Sequence, residues 1–238
     1  CSTRSYKVNE HLYLDSVLPS YDSVFGQNYD SSFLFYPFLQ PHGKSKSGLV
    51  SYSSFTIEKA TRYSLPVEKT IMKFFDLDRC YVKFVVNVSN GKDLVLYNLH
   101  LSAYSSDGSI AYEQLDLIIE DMAKEYEKGN YVIATGDFNK DLPGFSNERF
   151  GTSYNWAQPI DSAVYEGTGI RQITPYDEDN PVFSCRNADG PYNENQFVCT
   201  PDGFLVSENV NVLKANVVDL GFALSDHNPV YMVFQLED

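Results

Sequence analysis

The stretch Tyr131-Val132-Ile133-Ala134-Thr135-Gly136-Asp137-Phe138-Asn139 changes character halfway along. Its first five residues are apolar or β-branched and read as a strand, Tyr131–Thr135. Its last four place two polar side chains where that strand ends. Asp137 and Asn139 are two positions apart. If the extended backbone continues, both point to one face and Phe138 to the other. Gly, Asp and Asn are also favoured turn residues, so this stretch alone leaves a turn signal and a polar site equally open.

Similar clusters recur outward from it. Asn98-Leu99-His100-Leu101 closes the apolar run Leu94-Val95-Leu96-Tyr97. Ser225-Asp226-His227-Asn228-Pro229 opens the final strand-like run, and Asp202 leads into Gly203-Phe204-Leu205-Val206-Ser207. Each has a structural reading: a strand-end histidine, a cap before a proline-initiated strand, a turn acid. Together they bring carboxylates, amides and imidazoles to strand ends with few Arg or Lys beside them. That donor set suits a hard, oxygen-liganded cation such as Mg²⁺ or Mn²⁺. A neutral histidine able to take a proton from water would complete a metal-assisted hydrolase. Other chemistries fit less well. No Gly-x-Ser-x-Gly elbow occurs, and Gly43-Lys44-Ser45-Lys46-Ser47-Gly48 has its glycines and lysines in the wrong order for a P-loop.

The chain has 238 residues, 43% apolar, with 18 Lys+Arg against 32 Asp+Glu and a formal charge of −14. This apolar content excludes a disordered tail. The acidity argues against indiscriminate binding to nucleic acid or anionic membrane, and no apolar run approaches the roughly 20 residues of a membrane-spanning helix. Further strands are expected at Ser32–Phe38, Leu49–Phe55, Tyr81–Val88, Leu94–Leu101, Gly203–Ser207, Asn211–Val218 and Pro229–Leu236, with a hairpin turn at Asn90-Gly91. Helices are expected at Asn9–Leu18 and Ile110–Lys128, the second with an acidic outer face and Gly129 past its end. Many strands, few helices and no linker-like stretch predict one α+β domain. The stretch 40–73 holds six basic residues against two acidic ones, a local rim compatible with a phosphate-bearing substrate.

Taken in order, Gly48-Leu49-Val50-Ser51, Asn98-Leu99-His100-Leu101, Gly136-Asp137-Phe138-Asn139, Asp202-Gly203-Phe204-Leu205-Val206-Ser207 and Ser225-Asp226-His227-Asn228-Pro229-Val230 resemble the endonuclease/exonuclease/phosphatase superfamily, the DNase I-like fold. The resemblance covers about residues 20 to 238 and is weakest over Tyr154–Asn195. It implies a four-layer α/β/β/α sandwich and phosphoester hydrolysis with Mg²⁺ or a similar ion. It also implies roles. His227 resembles the base that activates water, and Asp202 the acid that orients it. Asp137 and Asn139 resemble the pair that positions nucleophile, phosphate and metal. His100 resembles the phosphate-binding histidine, and Asp226, with Asp137, a metal-side carboxylate. The family's principal metal ligand, a glutamate in a Gln-Glu pair on an early strand, has no counterpart. Asn9-Glu10 is the nearest match but lies in a helix-like segment, so the domain's opening strand–helix–strand unit is expected to be missing from this chain.

Three function classes follow. The first is a phosphodiesterase or phosphatase acting on a small-molecule or lipid-headgroup phosphate, favoured by the net acidity. The second is a DNA or RNA nuclease. The third is a non-catalytic binding module of the same fold, which the absent glutamate favours and the presence of His227, Asp202, Asp137 and Asn139 opposes. His42–Gly48 is expected as a solvated hairpin loop, with Lys44 and Lys46 contacting a phosphate-bearing substrate as the alternative. His227 and Asp202 are expected to share a hydrogen bond. Cys185 and Cys199 are expected to lie close enough to bridge if the protein is exported, with the intervening polar stretch folded back as a hairpin, whereas a cytosolic protein would keep both reduced. Compartment and assembly state stay open, with an exported or cell-surface setting favoured.

Overall fold

The computed structural model describes every residue except 1, 4, 36–38, 40, 68–76, 104–108, 151–156, 189 and 238, together with all side chains elsewhere but those of 147 and 150. The fold is mixed α+β, mostly sheet with few helices. It groups into two compact units, Cys1–Gln114 and Leu115–Asp238.

In the first unit, α1 (Glu10–Val17) starts where the Asn9 side chain accepts the Leu12 N–H at 3.3 Å, and it buries none of its residues. Asn9-Glu10 is thus a cap and first turn. β1 (Asp22–Leu34) and β2 (Gly43–Ser53) form an antiparallel pair. This corrects the loop expected at His42–Gly48. The segment Lys44-Ser45-Lys46 alternates as a strand should, but its buried member is Ser45 instead of an apolar residue, with both lysines outside. The strand expected at Ser32–Phe38 ends at Leu34 within β1, and its last three residues lie outside the described set, as do Lys69 and Lys73 of the basic stretch.

β3 (Lys59–Ser64) pairs with β4 (Cys80–Asn87), which pairs with β5 (Asp93–His100). Gly91 takes the positive φ, 81°, that the Asn90-Gly91 turn requires. Alternate residues Val82, Phe84 and Val86 of β4 are buried and pack with Val24, Leu49, Ile57 and Leu96.

α2 (Ser109–Glu127) begins in the first unit and continues into the second, burying Leu115, Ile118, Ile119 and Met122 along one face. Glu113, Asp116 and Glu120 are exposed as expected. Glu125 is not on that acidic face. It is buried and accepts Lys128 Nζ at 3.0 Å and Asn130 Nδ2 at 3.1 Å. Gly129, at φ 88°, stops the helix, its N–H donating to the Tyr126 carbonyl.

The second unit continues with β6 (Tyr131–Asp137), α3 (Ser146–Phe150), β7 (Ile170–Ile173), β8 (Cys185–Arg186), β9 (Val198–Cys199), β10 (Asp202–Ser207), β11 (Val210–Val217) and β12 (Val230–Leu236). β10 lies between β6 and β7, antiparallel to both. Tyr131–Ala134 and Gly203–Ser207 are buried without interruption, so this ladder is the rigid floor of the unit. β11 pairs with β12, and β8 pairs with β9 as the expected fold-back hairpin.

Candidate functional site

The β6–β10 register sets the site. Asp137 is the direct cross-strand partner of Asp202. Directly opposed like charges destabilise a sheet. Here an imidazole stands between them. His227 lies just before β12, and its backbone bridges to Cys185 of β8. Its Nδ1 is 2.8 Å from Asp202 Oδ2 and its Nε2 4.0 Å from Asp137 Oδ2. The expected His227–Asp202 hydrogen bond is therefore present. With a carboxylate facing Nδ1, that nitrogen carries the hydrogen and donates it.

Local backbone geometry fixes each member. β6 ends at Asp137, and Asn139 sits at φ 50°, so the extended conformation does not run on to Asn139. Asparagine tolerates this left-handed region better than most residues. The turn lets the Asn139 N–H donate to Asp137 Oδ1 at 2.8 Å. Phe138 between them is fully buried, and its N–H donates to the Pro201 carbonyl at 2.9 Å. That bond ties the ends of β6 and β10 together. Gly203 next to Asp202 is closely packed, and a Cβ there would require the Leu142 side chain to move.

Two residues absent from the sequence-based candidates complete the surroundings. Ser184, fully buried, donates its hydroxyl to Asp202 Oδ2 at 2.6 Å. Cys185 Sγ stands 3.4 Å from His227 Nε2. Nothing in the polar stretch Tyr176–Asn195 marked Ser184, and Cys185 was marked only as a bridging partner of Cys199. Only the pairing of β8 with the backbone at His227 brings them in, with Arg186 N–H on the Asp226 carbonyl at 3.0 Å and Asn228 N–H on the Ser184 carbonyl at 2.7 Å.

Burial pushes the His227 imidazole down, but the hydrogen bond and charge of Asp202, with the Cys185 contact, outweigh it and carry the group up to about 11. Cys185 is held below the usual thiol range, first by its hydrogen bond with Cys199 and then by His227. Cys199 is pushed up by the same shared bond and by burial.

Among the described residues, Asp137, Asp202 and His227 form a group that could hold a cation, their ligand atoms lying within 4.8 Å of one another. Two carboxylates suit a hard cation in donor type, but Asp202 Oδ2 already accepts from His227 and Ser184. Asp137 would then be the leading ligand. Asp226, expected on the metal side, is outside this cluster, and its Oδ1 accepts the Ser225 hydroxyl at 3.3 Å. His100 closes β5 in the first unit. Lys44 and Lys46 also belong to that unit, with Lys46 Nζ 3.9 Å from Asp30 Oδ2. A separate cavity of about 260 Å³ is lined by Arg149, Phe183, Tyr192, Gln196, Phe222 and Asn228 among others, and by none of Asp137, Asp202 and His227.

No protein-family model and no curated protein sequence matches the chain. Solved structures do. An endonuclease/exonuclease/phosphatase from Beutenbergia cavernae shares 18% identity at a TM-score of 0.64, over 95% of this chain and 57% of that one. The chain thus spans little more than half the length of that structure. A mannosyl-6-phosphatase from Bacteroides thetaiotaomicron shares 18% identity at a TM-score of 0.56, over 94% of this chain and 80% of its own. ANGEL2, a 2′,3′-cyclic phosphatase, shares 13% at 0.62, over 98% and 79%. The chain therefore has the fold of the endonuclease/exonuclease/phosphatase structures, the DNase I-like fold.

Proposed function

We propose that this chain carries the catalytic site of a metal-dependent phosphoester hydrolase, a phosphatase or phosphodiesterase. The observation that carries the reading is the Asp202–His227–Asp137 arrangement at the end of the β6–β10 ladder. Asp202 fixes the ring through Nδ1 and leaves Nε2 to take a proton from water. The oxygen of that water then bonds to phosphorus as the bond to the leaving alkoxide breaks, and the alkoxide takes up a proton. A carboxylate-oriented imidazole is suited to the first transfer, and this class of catalysis contributes about 10²–10⁴ in rate. Asp137 and Asn139 position the nucleophile and the phosphoryl group. Asp137, with Asp202 and His227 adjoining, would hold a divalent cation such as Mg²⁺ or Mn²⁺. When bound, the cation supplies Lewis-acid stabilisation of charge on the phosphoryl oxygens.

The raised pKa of His227 fits this scheme. Without a cation the hydrogen bond and charge of Asp202, with the Cys185 contact, retain a proton on the imidazole, and the ring becomes a base when positive charge at the site replaces that proton. Phosphatases occur among the proteins that share the fold, and the net charge of −14 favours a small phosphate ester over a polynucleotide. The test is hydrolysis of bis-p-nitrophenyl phosphate, sugar phosphates, plasmid DNA and RNA in Mg²⁺, in Mn²⁺ and in EDTA. Cation-dependent cleavage of a small ester, abolished in Asp137→Asn, is expected. Cleavage that is unchanged by EDTA or by that substitution overturns the mechanism.

A further inference from the structure

One sulfur in the second unit has two partners. Cys185 and Cys199 are directly paired residues of the antiparallel β8–β9 ladder, and both are buried. Cys185 Sγ stands 3.4 Å from the Arg186 carbonyl oxygen. The same Cys185 Sγ stands 3.4 Å from His227 Nε2, the nitrogen assigned above to proton abstraction. Directly opposed antiparallel residues have Cα atoms about 4.5–5.5 Å apart. That falls inside the range of roughly 4.4–6.8 Å that a disulfide spans.

We propose that Cys185 and Cys199 form a reversible disulfide and that closing it releases His227 Nε2 from Cys185. In the dithiol state a hydrogen lies between Cys185 Sγ and Nε2, so the sulfur competes with water for that nitrogen. In the disulfide state Cys185 Sγ carries no hydrogen and its second bond goes to Cys199 Sγ. The contact is then lost, and Nε2 faces water and Asp137 alone. The oxidant is a low-molecular-weight disulfide. The Cys185 thiolate attacks one of its sulfurs, the S–S bond breaks and one small thiol leaves. The Cys199 thiolate then attacks Cys185 Sγ of the mixed disulfide, and the second small thiol leaves. The protein pair loses two electrons to the small disulfide, and its two protons end on the two thiols released. Entry to buried Cys185 is through β8 and β9, each two residues long and joined by a polar, largely exposed segment. So short a ladder opens locally at low cost.

The effect on rate rests on the hydrolase reading, so the experiment has readouts that do not. The chain is equilibrated in mixtures of reduced and oxidised glutathione. Intact mass, peptide mapping, the His227 imidazole resonances and ester hydrolysis are then followed together. With four histidines in the chain, the His227 signals are assigned by their loss in His227→Gln. Expected on oxidation are the loss of two hydrogens, a Cys185–Cys199 cross-linked peptide and a displaced His227 signal. A roughly 2- to 10-fold gain in rate is expected with them, the worth of one hydrogen bond. Cys199→Ser should abolish all of these responses. Cys185→Ala should hold the His227 signal near its oxidised position in either buffer. An unchanged mass, a mixed disulfide that never closes, or a closed disulfide with an unmoved His227 signal overturns the proposal. If mass and resonance respond but no ester is cleaved in either state, the redox couple stands and the hydrolase reading fails.

Discussion

The two ends of the β6–β10 ladder contrast sharply in chemistry. At one end Ile133 faces Val206 and Ala134 faces Leu205, all four buried. Four residues on, Asp137 faces Asp202. The backbone register is continuous between them, so the hydrogen-bonded frame that packs the apolar end also sets the carboxylate spacing at the other. Full burial of an aliphatic side chain is worth about 1.5–3 kcal/mol. An unfavourable like-charge pair across a sheet costs about 0.2–1 kcal/mol. Burial at the apolar end can thus hold an unfavourable pair in place, and the imidazole between the carboxylates relieves what remains. Substitutions at the two ends should therefore separate function from stability.

The largest expected effect is at the polar end. His227→Gln should lower kcat/KM for the small ester by about 10²–10⁴. The same residue should give the wild-type protein a particular pH dependence in the absence of cation. Its pKa rises from 6.5 to about 11 on folding, so between those values the folded state binds more protons than the unfolded one. The contribution of His227 to stability is therefore complete below about 6.5 and is lost as pH climbs through 11. Urea midpoints measured across that window should fall in the wild type and stay flatter in His227→Gln. An unaltered rate removes His227 from the mechanism, and parallel midpoint curves remove the ion pair from the stability argument.

Leu205→Ala tests the apolar end. Leu205 is fully buried, and truncation at such sites costs about 2–5 kcal/mol. Urea unfolding should show that loss, while kcat in the native baseline stays near the wild-type value. A fall in kcat comparable to that of His227→Gln would mean that the two ends are not separable.

Much of this contrast was legible in the sequence. The apolar run at Tyr131–Thr135 and the acids beyond it follow from side-chain chemistry alone, as do the helix over Ile110–Lys128, its glycine stop and the Asn90-Gly91 turn. The His227–Asp202 bond followed from the need of a base for an orienting acid. Other features were hidden for physical reasons. β3 and the first half of β2 are polar segments made into strands by their partners, so no apolar alternation marks them. The left-handed backbone at Asn139 reverses the simple strand rule for Asp137 and Asn139. β8 is two residues in a polar stretch, and its place beside His227 depends on contacts 42 residues apart in sequence. Ser184, and the nearness of Cys185 to His227, were invisible for that reason.

Ser184 also supplies the smallest expected effect, because it touches the carboxylate and not the reacting atoms. Its hydroxyl donates to the Asp202 oxygen that accepts from His227, at 2.6 Å against 2.8 Å for the imidazole. The same oxygen thus takes two donors, one fixing the carboxylate and one held by it. Ser184→Ala leaves that oxygen with His227 alone and takes a partner from a mostly buried group, at a cost of about 1–3 kcal/mol in stability. The carboxylate can then rotate, so the ring it orients is held less firmly, and kcat should fall while KM is little changed. Ser184→Thr keeps the hydroxyl and should recover part of the rate, which a purely steric role for Ser184 does not predict. If Ser184→Ala and Ser184→Thr lose stability equally with kcat untouched, then Ser184 packs β8 and does not position Asp202. The polar end of the ladder would in that case be set by the β6–β10 register alone.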